Sequence, residues 1–103
     1  MSDSTSAESL LNRIESGHTE ALVELFSLYR SRLKAMVRFR MDARLVSRVD
    51  ASDVIQDVYI DAHNRIRHFF RKEGMSFYIW LRQLTEQRLI DVHRQHLLTE
   101  KRN

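Results

Sequence analysis

Apolar residues in this chain recur at intervals of three and four, and little interrupts them: proline is absent, and glycine occurs only at Gly17 and Gly74. Such spacing lines up side chains on one face of a 3.6-residue helix and predicts an all-helical domain. Thr5 and Glu8 have the spacing of a capping box ahead of "SLLNRI". Gly17 supplies a stop, because glycine tolerates the left-handed conformation. A long helix is expected from about Thr19 to Met41, with Leu22, Leu25, Phe26, Tyr29, Leu33, Met36 and Val37 turned inward. "DARLVSRVD" reads as a turn or short helical connector. Asp50 can cap the next helix, where Asp53 in the first turn suits the macrodipole. That helix should run to about His68 and break near Gly74, and Ser76 can cap a last helix from Phe77 to about Leu98. The expected fold class is all-α, a compact bundle of three main helices plus a short N-terminal helix. It should occupy residues 9–98, after a flexible stretch over residues 1–8.

Within "DASDVIQDVYIDAH" two periodicities are interleaved. Val54, Ile55, Val58, Ala62 and Ile66 share an inner face at about 100° per residue. Asp53, Gln56, Asp57, Ile60, Asp61, His63 and Asn64 share the outer one. Ile60, an aliphatic side chain amid acids, fits an ordinary exposed position; it equally fits a helix that docks on a basic partner. The acids repel phosphate, so this face is not expected to hold nucleic acid.

Charge sharpens the picture. The net value of +3 hides blocks: residues 30–49 carry seven bases and one acid, whereas residues 50–64 carry four acids and no base. Alternating blocks suggest one cationic and one anionic partner surface, with a merely solvated pattern as the alternative. A second constellation, "RIRHFFRKEGMSFYIWLRQ", sets Arg65, Arg67, Arg71 and Lys72 among aromatic rings around Gly74. Cations beside aromatics suit single-stranded nucleic acid, whose phosphates meet charge and whose bases stack. Phe69, Phe77 and Trp80 continue the apolar faces and are expected in the core. Phe70 and Tyr78 fall off those faces and stay open as contacts. On the last helix Gln83, Gln87 and Arg94 share a polar flank that could read bases or simply be solvated. Arg88 and Asp91 are expected to form a structural pair with each other or a neighbour.

With 103 residues, 43% of them apolar, the chain should form one domain with a modest core. The absence of cysteine excludes disulfides and thiolate metal sites. No apolar run approaches the ~20 residues needed to span a bilayer. A signal peptide is not evident either, so a cytoplasmic protein without a membrane partner is expected. His93 and His96 lack a third ligand, and no phosphate-binding glycine loop or activated nucleophile is present. Neither a cofactor nor catalysis is expected.

Three segments carry a family resemblance. "SGHTEALVELFSLYRSRL", "DASDVIQDVYIDAH" and "FYIWLRQLTEQRLIDVHR" resemble, in order and spacing, the motifs of sigma factors. The match is closest to the extracytoplasmic-function (ECF) group, and the connector "RMDARLVSRVDASD" looks like a branch common in planctomycete bacteria. The resemblance implies the region 2 fold, which binds RNA polymerase and opens the promoter. It implies that Asp53, Gln56, Asp57, Ile60 and His63 dock on the β′ clamp helices of RNA polymerase. It implies that the loop containing Arg71, Lys72, Gly74 and Ser76 captures a base flipped from the non-template strand of the −10 element. Tyr78, Arg82, Gln83, Gln87 and Arg94 then belong to the −10 recognition helix. An anti-sigma factor or other regulator is a further implied partner. Many members place asparagine where Gln87 stands, and the family continues into a −35-binding domain. Residues 99–103 are therefore expected to begin a linker to an absent C-terminal domain, the chain being a piece of a longer protein. The alternative is a helical protein-interaction module, a partner-sequestered or degenerate sigma domain without DNA binding.

Overall fold

The computed structural model describes residues 3–101, with side-chain burial defined for residues 6–98. The described residues form α1 (Asp3–Glu15), α2 (Ala21–Ser27), α3 (Arg30–Arg40), α4 (Ala51–Arg71) and α5 (Phe77–Lys101). α4 packs along α5, α3 lies against both, and α1 and α2 form a hairpin at one side.

α1 starts at Asp3, so Thr5 lies within the helix and not at its cap, and residues 3–8 of the stretch expected to be flexible are helical. Ala7, Leu10 and Ile14 bury its inner face. Gly17, at φ +107°, ends the helix in a Schellman arrangement. Its N–H donates to the Ile14 carbonyl at 3.0 Å, and the His18 N–H donates to the Arg13 carbonyl at 2.9 Å.

The helix expected over 19–41 is two helices. At the junction the N–H groups of Leu28 and Tyr29 each reach back three residues, to Leu25 and Phe26, at 3.1 and 3.0 Å. The Ser27 hydroxyl donates to the Glu24 carbonyl at 2.6 Å, a local bond that competes with the regular ladder. Tyr29 is the hinge residue, and its ring stacks on Tyr78 at the start of α5, 5.4 Å between centroids. Leu22, Leu25, Phe26, Leu33 and Val37 are buried as expected, with Tyr29 and Met36 half-buried.

The connector between α3 and α4 is a run of turns pinned by Leu45, which is fully buried. Asp42 organises its entry. The Asp42 carboxylate accepts from the backbone N–H and the guanidinium of Arg44 at 2.9–3.0 Å. The Asp42 N–H donates to His93 Nε2 at 3.1 Å. Asp50 then caps α4, accepting from the Ser52 N–H at 2.8 Å. Val54, Ile55, Val58, Ala62, Ile66 and Phe69 carry that helix into the core, and it runs three residues beyond His68. Phe69 meets Phe77 and Trp80 at centroid distances of 5.4 and 5.1 Å, which locks the end of α4 onto the start of α5.

α3 and α5 lie side by side and run the same way. Arg32 reaches Tyr78, Arg40 bonds Glu86 at 2.8 Å, and Asp42 at the end of α3 meets His93. Thr85, fully buried on α5, donates its hydroxyl to the Leu81 carbonyl at 2.8 Å and so leaves no side-chain polar atom unpaired.

Candidate functional site

Helical geometry sorts the α4 side chains as expected, with one correction. Asp53, Gln56, Asp57, Ile60 and His63 are all exposed, Ile60 at 48%. Asp61 does not join them. It is half-buried and accepts from Arg88 Nη2 of α5 at 2.7 Å. The carboxylate raises the Arg88 pKa above its ordinary value, against the opposing effect of burial. Arg88 thus pairs with a neighbouring helix, the second of the two arrangements open from the sequence. Asp91 instead accepts weakly from Gln87 Nε2 at 3.4 Å. The Nε of Arg88 is buried with no hydrogen-bond partner.

Beside the acidic face an open groove of about 260 Å³ is lined by Val23, Phe26, Arg30, Ile55, Gln56 and Tyr59. The Phe26 and Tyr59 rings meet edge to face at 5.3 Å in its wall. Gln56 therefore belongs to both the acidic face and this apolar recess.

The cationic constellation lies past the other end of α4. Arg71, Lys72, Gly74 and Ser76 are exposed in or beside the loop, which turns at Gly74 with φ +76°. Ser76 has a structural task as well: its Oγ accepts from the Ile79 N–H at 3.1 Å and caps α5. Phe69, Phe77 and Trp80 are buried, as their spacing predicts. Phe70 is half-buried against Phe69, edge to face at 5.3 Å. Tyr78 is also half-buried, with one cation near it from each of two helices: Arg32 of α3 at 5.7 Å and Arg82 of α5 at 6.0 Å from the ring centroid. Gln83, Gln87 and Arg94 are exposed along the outer flank of α5.

The fold therefore brings the loop, Tyr78 and Arg82 to the α5 start, sets Gln83, Gln87 and Arg94 farther along that helix, and leaves Asp53 and Asp57 exposed on α4. It adds Arg32 and Tyr29, which sequence spacing did not single out, since Tyr29 reads as core and Arg32 as one solvated base among several. No group of three or more His, Asp or Glu able to hold a metal occurs among the described residues. His93 is engaged with the connector. No described helix is long and apolar enough to cross a membrane.

The domain is thus all-helical among the described residues, with an acidic exposed face on α4 and cations beside an aromatic ring at the start of α5. The sigma-70 region 2 family model matches residues 25–98, and the chain belongs to that family, as an RNA polymerase sigma factor domain. It is also similar to the ECF RNA polymerase sigma-E factor of Haemophilus influenzae, 32% identical over 81 residues, covering 79% of this chain and 39% of that protein. The chain thus spans about two fifths of the length of the curated relative it matches. No solved structure matches it.

Proposed function

We propose that this domain docks on the β′ clamp helices of RNA polymerase through the outer face of α4, and holds the non-template strand of the −10 element at the loop and the α5 start. The observation that carries the reading is the segregation of charge. Asp53 and Asp57 are exposed with Ile60 and His63 on one helix face, while Arg71, Lys72, Tyr78 and Arg82 gather where α4 hands over to α5. Opposite charge steers the acidic face to a basic helical partner, and Ile60 supplies the apolar contact at its centre. At the other surface, cations neutralise phosphates and the half-buried Tyr78 ring offers its remaining open surface to an unstacked base. Extruding a base costs a few kcal/mol, and stacking it in a site returns a similar amount. Preferential binding of the open strand is then enough to favour melting, with no chemistry performed by the domain.

Calorimetric titration with a β′ clamp-helix fragment tests the docking half. Saturable binding that weakens with salt and disappears in Asp57→Arg supports it; binding untouched by that exposed substitution contradicts it. Anisotropy with single-stranded −10 DNA tests the other half and separates it from the protein-only module, which binds the clamp fragment alone.

A further inference from the structure

We propose that the nucleic-acid surface extends onto α3, where Phe39 is a stacking platform for an unpaired base and Arg32 holds a phosphate beside it. This rests on the nucleic-acid reading of the α5 start and adds to it a helix not included there.

Phe39 is 90% exposed, the most open large apolar side chain among the described residues. A phenyl ring left in water on a regular helix contributes nothing to the core. The helix that bears it carries five bases and no acid, of which Arg40 is paired with Glu86 of α5. Arg32, Ala35 and Phe39 follow one another at helical spacing on one exposed stripe. A rise of 1.5 Å per residue places Phe39 about 10 Å along the axis from Arg32, room for a strand to pass over the small Ala35.

The stripe is continuous with the α5 start. Arg32 lies 5.9 Å from the Tyr29 centroid and 5.7 Å from that of Tyr78, and Arg82 approaches the same Tyr78 ring. Neither guanidinium has a carboxylate partner among the described residues. Two unneutralised cations about one ring favour an anion between them. Because α3 runs alongside α5 in the same direction, a strand held at Tyr78 that continues past Arg32 arrives at Phe39. An acidic protein surface would satisfy the charge, but phosphates alternating with flat bases satisfy both the charge and the rings.

The test is fluorescence anisotropy with oligothymidylates of roughly 6 and 12 nucleotides, since stacking tolerates sequence and one small fold covers strands of this order. The wild type should bind the longer strand more tightly. Phe39→Ala should remove that gain, about tenfold, and leave the short strand alone, and Phe39→Trp should restore it; Arg32→Gln, beside Tyr78, should weaken both strands. Equal affinity of wild type and Phe39→Ala for the longer strand overturns the inference. If Lys72→Gln still weakens the short strand in that case, the proposed function stands without it. If the wild type binds neither strand, both nucleic-acid readings fall. Should Phe39→Ala weaken the β′ fragment and spare DNA, the surface is a protein contact and the inference is wrong. Unchanged helical circular dichroism confirms that each variant is folded.

Discussion

Asp61 of α4 and Arg88 of α5 bond at 2.7 Å, one residue after Ile60 on the acidic helix and one after Gln87 on the polar flank. The pair joins the helix proposed to face polymerase to the helix proposed to face DNA. The Arg88 and Asp61 side chains are 29% and 26% exposed, so solvent screens the charge only in part. The pair is a second tie between the two helices, beside the Phe69, Phe77 and Trp80 rings.

Replacing Asp61 by asparagine should therefore destabilise the fold by about 1–2 kcal/mol, the range for a charged hydrogen bond with partial solvent access. Arg88 would keep a charge and a buried, unpaired Nε with only a neutral amide opposite. Arg88→Met removes that buried N–H together with the charge and should cost less. Urea midpoints of the two variants check the order; a larger loss in Arg88→Met would show that the half-buried Asp61 carboxylate left without its cation costs more than the guanidinium left without its anion.

A second prediction concerns acid. The guanidinium and backbone N–H of Arg44 lower the Asp42 carboxyl from its ordinary 3.8 to about 2. A carboxylate depressed in the fold contributes stability that is complete above its unfolded pKa and is lost as pH falls through the folded one. The contribution should hold down to about pH 4 and disappear through about pH 2. NMR titration of the Asp42 side chain should find its midpoint near the lower value, and Asp42→Asn should flatten the acid limb of stability over this window. A midpoint close to 3.8 would mean that the Arg44 contact does not persist in solution.

Local chemistry made much of the fold readable in advance. Asp50, Gly17 and Ser76 act within a few residues of themselves, and each terminates or starts a helix where its type predicts, while Gly74 turns the loop three residues past the end of α4. The inner and outer faces of α4 were equally legible, because burial follows the 3.6-residue period. The break before Tyr29 was not, since the apolar pattern keeps its phase through the junction and no glycine or proline marks it. Asp61 looked like its neighbours Asp53 and Asp57, and what distinguishes it is a residue 27 positions away. Arg32 escaped notice for the same reason: its place beside Tyr78 depends on how α3 lies on α5, which no local pattern encodes.

Ser76 combines two roles that substitution can separate. Ser76→Ala loses the cap to the Ile79 N–H and should cost about 1 kcal/mol. Ser76→Asp keeps a competent cap and should preserve stability, yet it places a negative charge in the loop proposed to meet phosphate. Thermal melts should therefore rank aspartate near serine and above alanine. Single-strand binding should be weakest for aspartate. If binding instead follows stability, Ser76 acts only through the helix it starts.

Salt dependence tests the loop cations directly. Each phosphate neutralised on a single strand contributes about −0.7 to the slope of log K against log salt. Arg71 and Lys72 are exposed, and no salt bridge to either occurs among the described residues, so both are free to meet phosphates. Arg71→Gln with Lys72→Gln should make the slope shallower by about 1.4 if each holds one phosphate. The affinity loss should be largest at low salt and shrink as salt rises. A slope that stays the same while affinity falls would place these residues in shaping the loop around Gly74 and leave the phosphate contacts to Arg32, Arg82 and Arg94.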